Sequence, residues 1–254
     1  DADIDLYSIK LPLNQWIINE LFYVKKRVDY FISKYLFHEV ANILYHFIWH
    51  EYCDWYIELS KYSFQNNNKE TRETKDVAIW SFMEILKTIH PLMPFISEKL
   101  WGTFNSKKNM LITQENLLFD EISNYNSSQL MIKHLINIIS SVRNIRSEFN
   151  ISYKQLIEIQ IYTKDKNIVL FLKSYENEII KLLKLSKVIF LLEPKKISEA
   201  AYIVLDKSTI TIPLKNIVNT KNELKKLKFK KDNFLKEYKN INSKLNNISF
   251  IDKA

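Results

Sequence analysis

A single glycine, Gly102, in 254 residues constrains this chain more than any other feature. Glycine is the default residue wherever the backbone must take positive φ, and an average chain holds about 7 % of it. Two-residue hairpin turns of the primed types and Gly-rich phosphate loops both depend on such positions. We therefore expect a mostly helical protein in which tight β-turns are excluded. The same scarcity removes GxxxxGK[ST], GxGxxG and GxSxG motifs, and HExxH is absent as well. One cysteine, Cys53, excludes an internal disulfide or a CxxC zinc site and reads as a small apolar residue on a helix. Hydrophobic residues make up 46 % and charged residues 26 %, enough to bury one large core or two smaller ones.

Three regions follow from periodicity. In residues 1–125, Trp16, Ile17, Leu21, Val24, Val28 and Phe31 recur at helical spacing. A second, aromatic helix is expected over about 37–60, and a third over about 74–90 with Val77, Trp80, Met83, Leu86 and Ile89 inward. Pro91 should stop that helix, and Pro94 should open a short one running to Trp101. Short links between antiparallel helices make a bundle. In residues 126–218 an amphipathic helix over 129–149 buries Leu135, Ile138, Ile139, Val142, Ile145 and Phe149. "LIEIQIYT" (156–163) alternates as a half-buried strand does. "IIKLLKLSKVIFLL" reads as helix then strand, and 200–214 as two short strands around Asp206–Ser208. This is a small α+β unit. In residues 219–254, Thr220 and Glu223 form a capping box. Leu224, Leu227, Lys231, Phe234, Tyr238, Ile241, Leu245 and Ile248 then make a heptad seam.

Charge separates along the same lines. Residues 1–125 carry 13 Lys/Arg against 17 Asp/Glu, residues 126–218 carry 14 against 8, and residues 219–254 carry 10 against 4. The whole positive excess lies in the second half, where a polyanion partner would be contacted; a solvated lysine-rich surface is the plainer reading. No apolar run reaches the roughly 18 residues that span a bilayer, and no signal peptide is visible.

The stretch "YHFIWHEYCDWYIEL" (45–59) holds the most telling pattern. On an α-helical wheel, Tyr45, Ile48, Trp49, Tyr52, Trp55, Tyr56 and Leu59 share one arc. His46, His50, Glu51, Asp54 and Glu58 occupy the other, and Phe47 falls among them. An aromatic ring among polar groups either packs on a neighbouring helix or offers a face to a nucleic-acid base. His46 and His50 have metal-helix spacing, but solvated histidines fit better without a third ligand. The carboxylate pair Asp54 and Glu58 reads as solvated rather than catalytic. Arg143 and Arg146, one turn apart on the polar side of their helix, suit phosphate oxygens; a surface salt bridge such as Arg146 with Glu148 is the alternative.

"ANILYHFIWHEYCDWYIELSK" (41–61) and "IHPLMPFISEKLW" (89–101) resemble the anticodon-binding helical domain of class I valyl-tRNA synthetases. "QWIINEL", "FHEVANILY", "IISSVRNIRSEFNIS" and "DKSTITIPLKNIVNTKNELKKL" are similar to its further segments, in the family's order over nearly the whole chain. The CDWY-I-E string points to the valine enzyme over its isoleucine and leucine relatives. The family's HIGH and KMSKS signatures and its editing domain are missing from this sequence. Amino-acid activation, with ATP as substrate, therefore belongs to a catalytic part outside it. No cofactor, metal or catalytic residue is expected within these residues.

The resemblance implies the roles. Phe47, with His46 and His50 beside it, would meet the anticodon. Arg143 and Arg146 would meet the tRNA backbone. Residues 219–254 would be the first helix of a coiled-coil arm reaching the outer corner of the tRNA, through Lys221, Lys225, Lys228, Lys236 and Lys239. The expected partner is tRNA(Val), without membrane. The expected setting is cytoplasmic, as a monomer whose cut arm is frayed or pairs with another copy. The rivals are a fragment of another branched-chain synthetase, or a helical module binding a protein through the heptad seam.

Overall fold

The structure is a computed structural model that describes residues 4–64, 69–104, 109–114, 125–215, 217 and 220–246. It contains two compact units, Asp1–Asn137 and Ile138–Ala254, with the boundary inside one helix.

The first unit is helical. Helix α1 (Pro12–Ser33) opens with proline in its first turn and Leu11 at the N-cap, which offers no side-chain cap. A carboxylate from another helix takes that role: Glu73 accepts from the Lys10 and Leu11 amides at 3.2 and 2.9 Å. It also accepts from Asn14 Nδ2 at 3.0 Å. An anion at a helix N-terminus is favoured by the unpaired N–H groups and by the dipole. The apolar stripe expected on α1, from Trp16 to Phe31, is buried throughout. Helix α2 (Phe37–His46) continues into a π-helical stretch, Phe47–Ile57, and then into α3 (Glu58–Phe64). Helix α4 (Lys69–Ile89) follows, and α5 (Pro94–Phe104) restarts at proline as the sequence predicts. Helix α1 packs on α2, on α4 and on the π-helical stretch, so it is the bundle's central element. One ion pair is buried there: Lys25 Nζ lies 2.5 Å from Glu84 Oε2, and Lys87 meets the other oxygen at 2.6 Å.

The second unit is α+β. Helix α6 (Asn126–Glu148) enters it, and Ile138, Ile139 and Val142 are fully buried, as the amphipathic pattern requires. A four-stranded sheet has the order β2–β1–β4–β3, with β1 (Ile157–Tyr162), β2 (Leu185–Leu191), β3 (Ala200–Leu205) and β4 (Ser208–Pro213). β1 pairs parallel with β2 and antiparallel with β4, and β3 with β4 is a hairpin. The parallel pair requires a crossover, made by α7 (Lys166–Ser174) and α8 (Glu176–Leu183). Periodicity predicts α8 but not α7, whose N-cap Asp165 accepts from the Asn167 amide at 2.8 Å. Ile157, Ile159 and Ile161 of β1 and Ile210 and Ile212 of β4 are buried at every second position, the pleat's period.

One expectation drawn from glycine scarcity, the exclusion of tight β-turns, needs correction. Leu205 pairs with Ser208, so Asp206 and Lys207 alone make a tight turn, and neither has positive φ. The hairpin thus uses a turn outside the primed types, with a poorer match to strand twist. Left-handed positions also exist, occupied by Tyr35, Asn150, Lys184 and Glu199 at φ of 51–58°.

Helix α9 (Thr220–Leu245) is the last element. Leu224, Leu227, Phe234, Tyr238 and Ile241 of the expected seam are all exposed, so no coiled coil covers it among the described residues. The side chains of Thr220, Lys221, Glu223 and Leu245, and Ile248 altogether, lie outside the described set, and the capping box with them. Among the described residues no helix is long and apolar enough to cross a membrane.

Candidate nucleic-acid interface

The π-helical stretch determines which rings of 45–59 are inside. An i→i+5 ladder takes up more residues per turn than an α-helix and rotates the wheel beneath each side chain. The buried positions here are Phe47, Tyr52 and Tyr56, spaced five and then four, as that ladder brings onto one face. Tyr52 Oη donates to the Ala78 carbonyl at 2.8 Å and Tyr56 Oη to Asn14 Oδ1 at 3.0 Å, so both hydroxyls are satisfied within the bundle. Burial pushes the Tyr52 phenol well above its ordinary range.

Phe47 is therefore not a surface ring. It is 1 % exposed, and the expectation that it meets an anticodon base is corrected. The α-helical wheel sets it among polar groups only because that wheel has the wrong repeat here. Two rings that the wheel puts inside are turned out: Trp49, within the π-helical stretch, is 55 % exposed, and Tyr45, in the last turn of α2 next to the buried Leu44, is 63 % exposed. Their centroids are 6.3 Å apart and their planes differ by 4°, an offset-stacked pair with open faces.

His46 and His50 are exposed beside this pair, as the sequence predicts. Their rings are 5.1 Å apart, and His50 meets Tyr45 edge-on at 6.2 Å and 86°. His50 Nδ1 lies 3.3 Å from Asp54 Oδ2. Among the described residues no group of three His, Cys, Asp or Glu could hold a metal ion. Cys53, read as an apolar helix residue, is exposed; partial burial, then Asp54, raise its thiol pKa, which blunts its reactivity. On the same stretch, burial and then Glu20 raise the Glu51 carboxyl above its usual range, against Lys133 and His50. Tyr45 and Trp49 thus present parallel rings, with the His46 and His50 rings set at an angle beside them. The signal that could have found this arrangement is the five-and-four spacing of Phe47, Tyr52 and Tyr56.

In the second unit, Arg143 is exposed and Arg146 is 6 % exposed, so the two do not form a surface row. Arg146 Nη2 donates to the Ser152, Tyr153 and Gln155 carbonyls at 2.9, 3.4 and 2.7 Å. It holds the turn after α6 in place, and this replaces the anticipated pairing with Glu148. On α9, Lys225, Lys228, Lys236 and Lys239 are exposed; the side chain of Lys221 lies outside the described residues.

The first unit is thus a helical bundle with an exposed aromatic strip, and the sequence after it is basic. The family described as the anticodon-binding domain of tRNA ligases matches residues 14–161, more than half of the chain. The chain belongs to that family. Among curated proteins it is similar to the valine–tRNA ligase of Enterococcus faecalis, 29 % identical over all of this chain and 29 % of that protein. That of Legionella pneumophila strain Lens is 33 % identical, over 96 % of this chain and 27 % of its own length. That of Staphylococcus aureus strain JH9 is 30 % identical over 99 % and 29 %. The chain therefore spans under a third of the relatives it matches.

Proposed function

We propose that the chain is the tRNA-binding part of a valine–tRNA ligase. It reads the anticodon on the Tyr45–Trp49 face and presents the tRNA to a catalytic part outside these residues, where ATP-dependent aminoacylation occurs. The observation that carries this is the stacked, open Tyr45–Trp49 pair on a bundle of the anticodon-binding family. Anticodon bases are unstacked in a single-stranded loop, and their flat faces match exposed rings. Each such stack is worth about 1–3 kcal/mol. His46 and His50 supply ring N–H donors or acceptors to base edges within reach of the same face.

The lysines of α9 act at a second point, the outer corner of the tRNA. They add affinity through counterion release and choose no sequence. Two grips on one rigid RNA orient its acceptor end, a positioning role that lowers the entropy of the later reaction.

A mobility-shift series with anticodon stem-loops that differ only in the anticodon tests the reading. The valine anticodons should bind tighter than isoleucine or leucine anticodons; Trp49→Ala should weaken all three sets, and replacing His46 and His50 with Ala should narrow the preference. Equal binding by all three sets would exclude anticodon reading by this bundle.

A further inference from the structure

A second concave site lies in the α+β unit, where the end of α6, the turn after it and the end of α8 converge. The cleft holds about 500 Å³ and is lined by Arg143, Arg146, Ser147, Asn150, Tyr153 and Leu183, among others. No carboxylate belongs to its lining. Arg146 is more than nine-tenths buried, and its Nη2 meets only backbone carbonyls. Nη1 is buried and has no hydrogen-bond partner among the described residues. A buried donor left unmatched is costly, more so when charged. An anion in the cleft would relieve that cost. Beside the guanidinium stands an exposed ring, Tyr153, with the Lys184 ammonium 5.7 Å from its centroid. Leu183 adds an apolar wall and Ser147 and Asn150 polar ones.

Cations, a flat ring, an apolar wall and short polar side chains around this volume match one chemical unit. We propose that the cleft takes one unpaired nucleotide of the bound RNA. Its phosphate lies on the Arg143 and Arg146 guanidiniums and its base against Tyr153, an inference that rests on the RNA-binding reading above for the source of the nucleotide. Guanidinium forks suit phosphate oxygens bidentately, and the ring accepts any base face. An apolar small molecule would leave the arginine charge unmatched, and a bare anion would leave Tyr153 and Leu183 unused.

The probe is AMP, titrated into the full chain and followed by amide and arginine side-chain resonances, with adenosine and inorganic phosphate as separate arms. AMP should shift Arg143, Ser147, Tyr153 and Leu183, and adenosine and phosphate should each bind about tenfold more weakly. Because Arg146 also holds the 152–155 turn, the variants are placed elsewhere. Arg143→Gln and Tyr153→Ala should each weaken AMP about tenfold, and Tyr153→Ala should weaken a tRNA(Val) transcript without changing its anticodon preference. Shifts that avoid the cleft, or a phosphate response equal to that of AMP, would overturn the proposal. Since AMP carries no anticodon, its arm stands or fails apart from the stem-loop series.

Discussion

Phe47 and Trp49 stand two residues apart and should answer to alanine in opposite ways. Phe47 is enclosed in the bundle, so Phe47→Ala leaves a cavity and should cost about 3–5 kcal/mol of unfolding free energy in a urea titration. Trp49 is open; Trp49→Ala should leave stability within about 0.5 kcal/mol and weaken anticodon stem-loops by about 1–3 kcal/mol. Glu51 gives a third residue-scale test. Burial, then Glu20, raise its folded pKa above the ordinary 4.5. A carboxyl raised on folding keeps its proton in the native state while the unfolded chain loses it. Stability therefore falls as pH climbs from 4.5 to the raised value, and stays lowered above it. Glu51→Gln should raise the melting temperature at pH 7, and the gain should disappear below about pH 4.5. An equal gain at all pH values would mean that packing, not charge, was at work.

At the scale of elements, periodicity makes most of the molecule legible. The stripe of α1, the stop at Pro91, the restart at Pro94, the buried face of α6 and the alternation in β1 are all present. Each depends on a local repeat of known pitch. The π-helical stretch does not: an α-helical wheel laid over it sends Phe47 and Trp49 to wrong faces at once. Tertiary packing supports the wider ladder, in which the hydroxyls of Tyr52 and Tyr56 both reach partners. Helix α7 escapes the pattern because its unbroken apolar run from Ile168 to Leu172 reads equally as a buried strand. Its cap is testable: Asp165→Ala should cost about 1 kcal/mol by chemical denaturation. Arg146 is visible as a residue and misleading as part of a row, since nothing in its spacing tells that the following turn folds back onto its guanidinium.

For the molecule as a whole, the division of charge is the property most open to measurement. Acidic residues prevail in 1–125 and basic residues after it, so salt should weaken the second half's grip on RNA and leave stacking nearly untouched. Affinity for a tRNA(Val) transcript should fall steeply as salt rises. Replacing Lys225, Lys228, Lys236 and Lys239 with Gln should flatten that slope, by about 0.7–0.9 for each phosphate no longer neutralised. A slope identical to the parent's would remove α9 from the interface. The anticodon preference should survive the fourfold change, because the groups proposed to read the anticodon lie in the other unit.

The left-handed backbone at Glu199 has an engineering consequence. Its φ is 58° and its carbonyl accepts from the Leu214 amide at 2.8 Å, so the main chain there is held while the exposed side chain is incidental. Strain of about 1–3 kcal/mol accompanies an L-residue in that region, against an entropy loss of about 0.5–1 kcal/mol when glycine is ordered. Glu199→Gly should therefore raise thermal tolerance slightly. In a chain with a single glycine, one of the simplest gains in robustness is still unused.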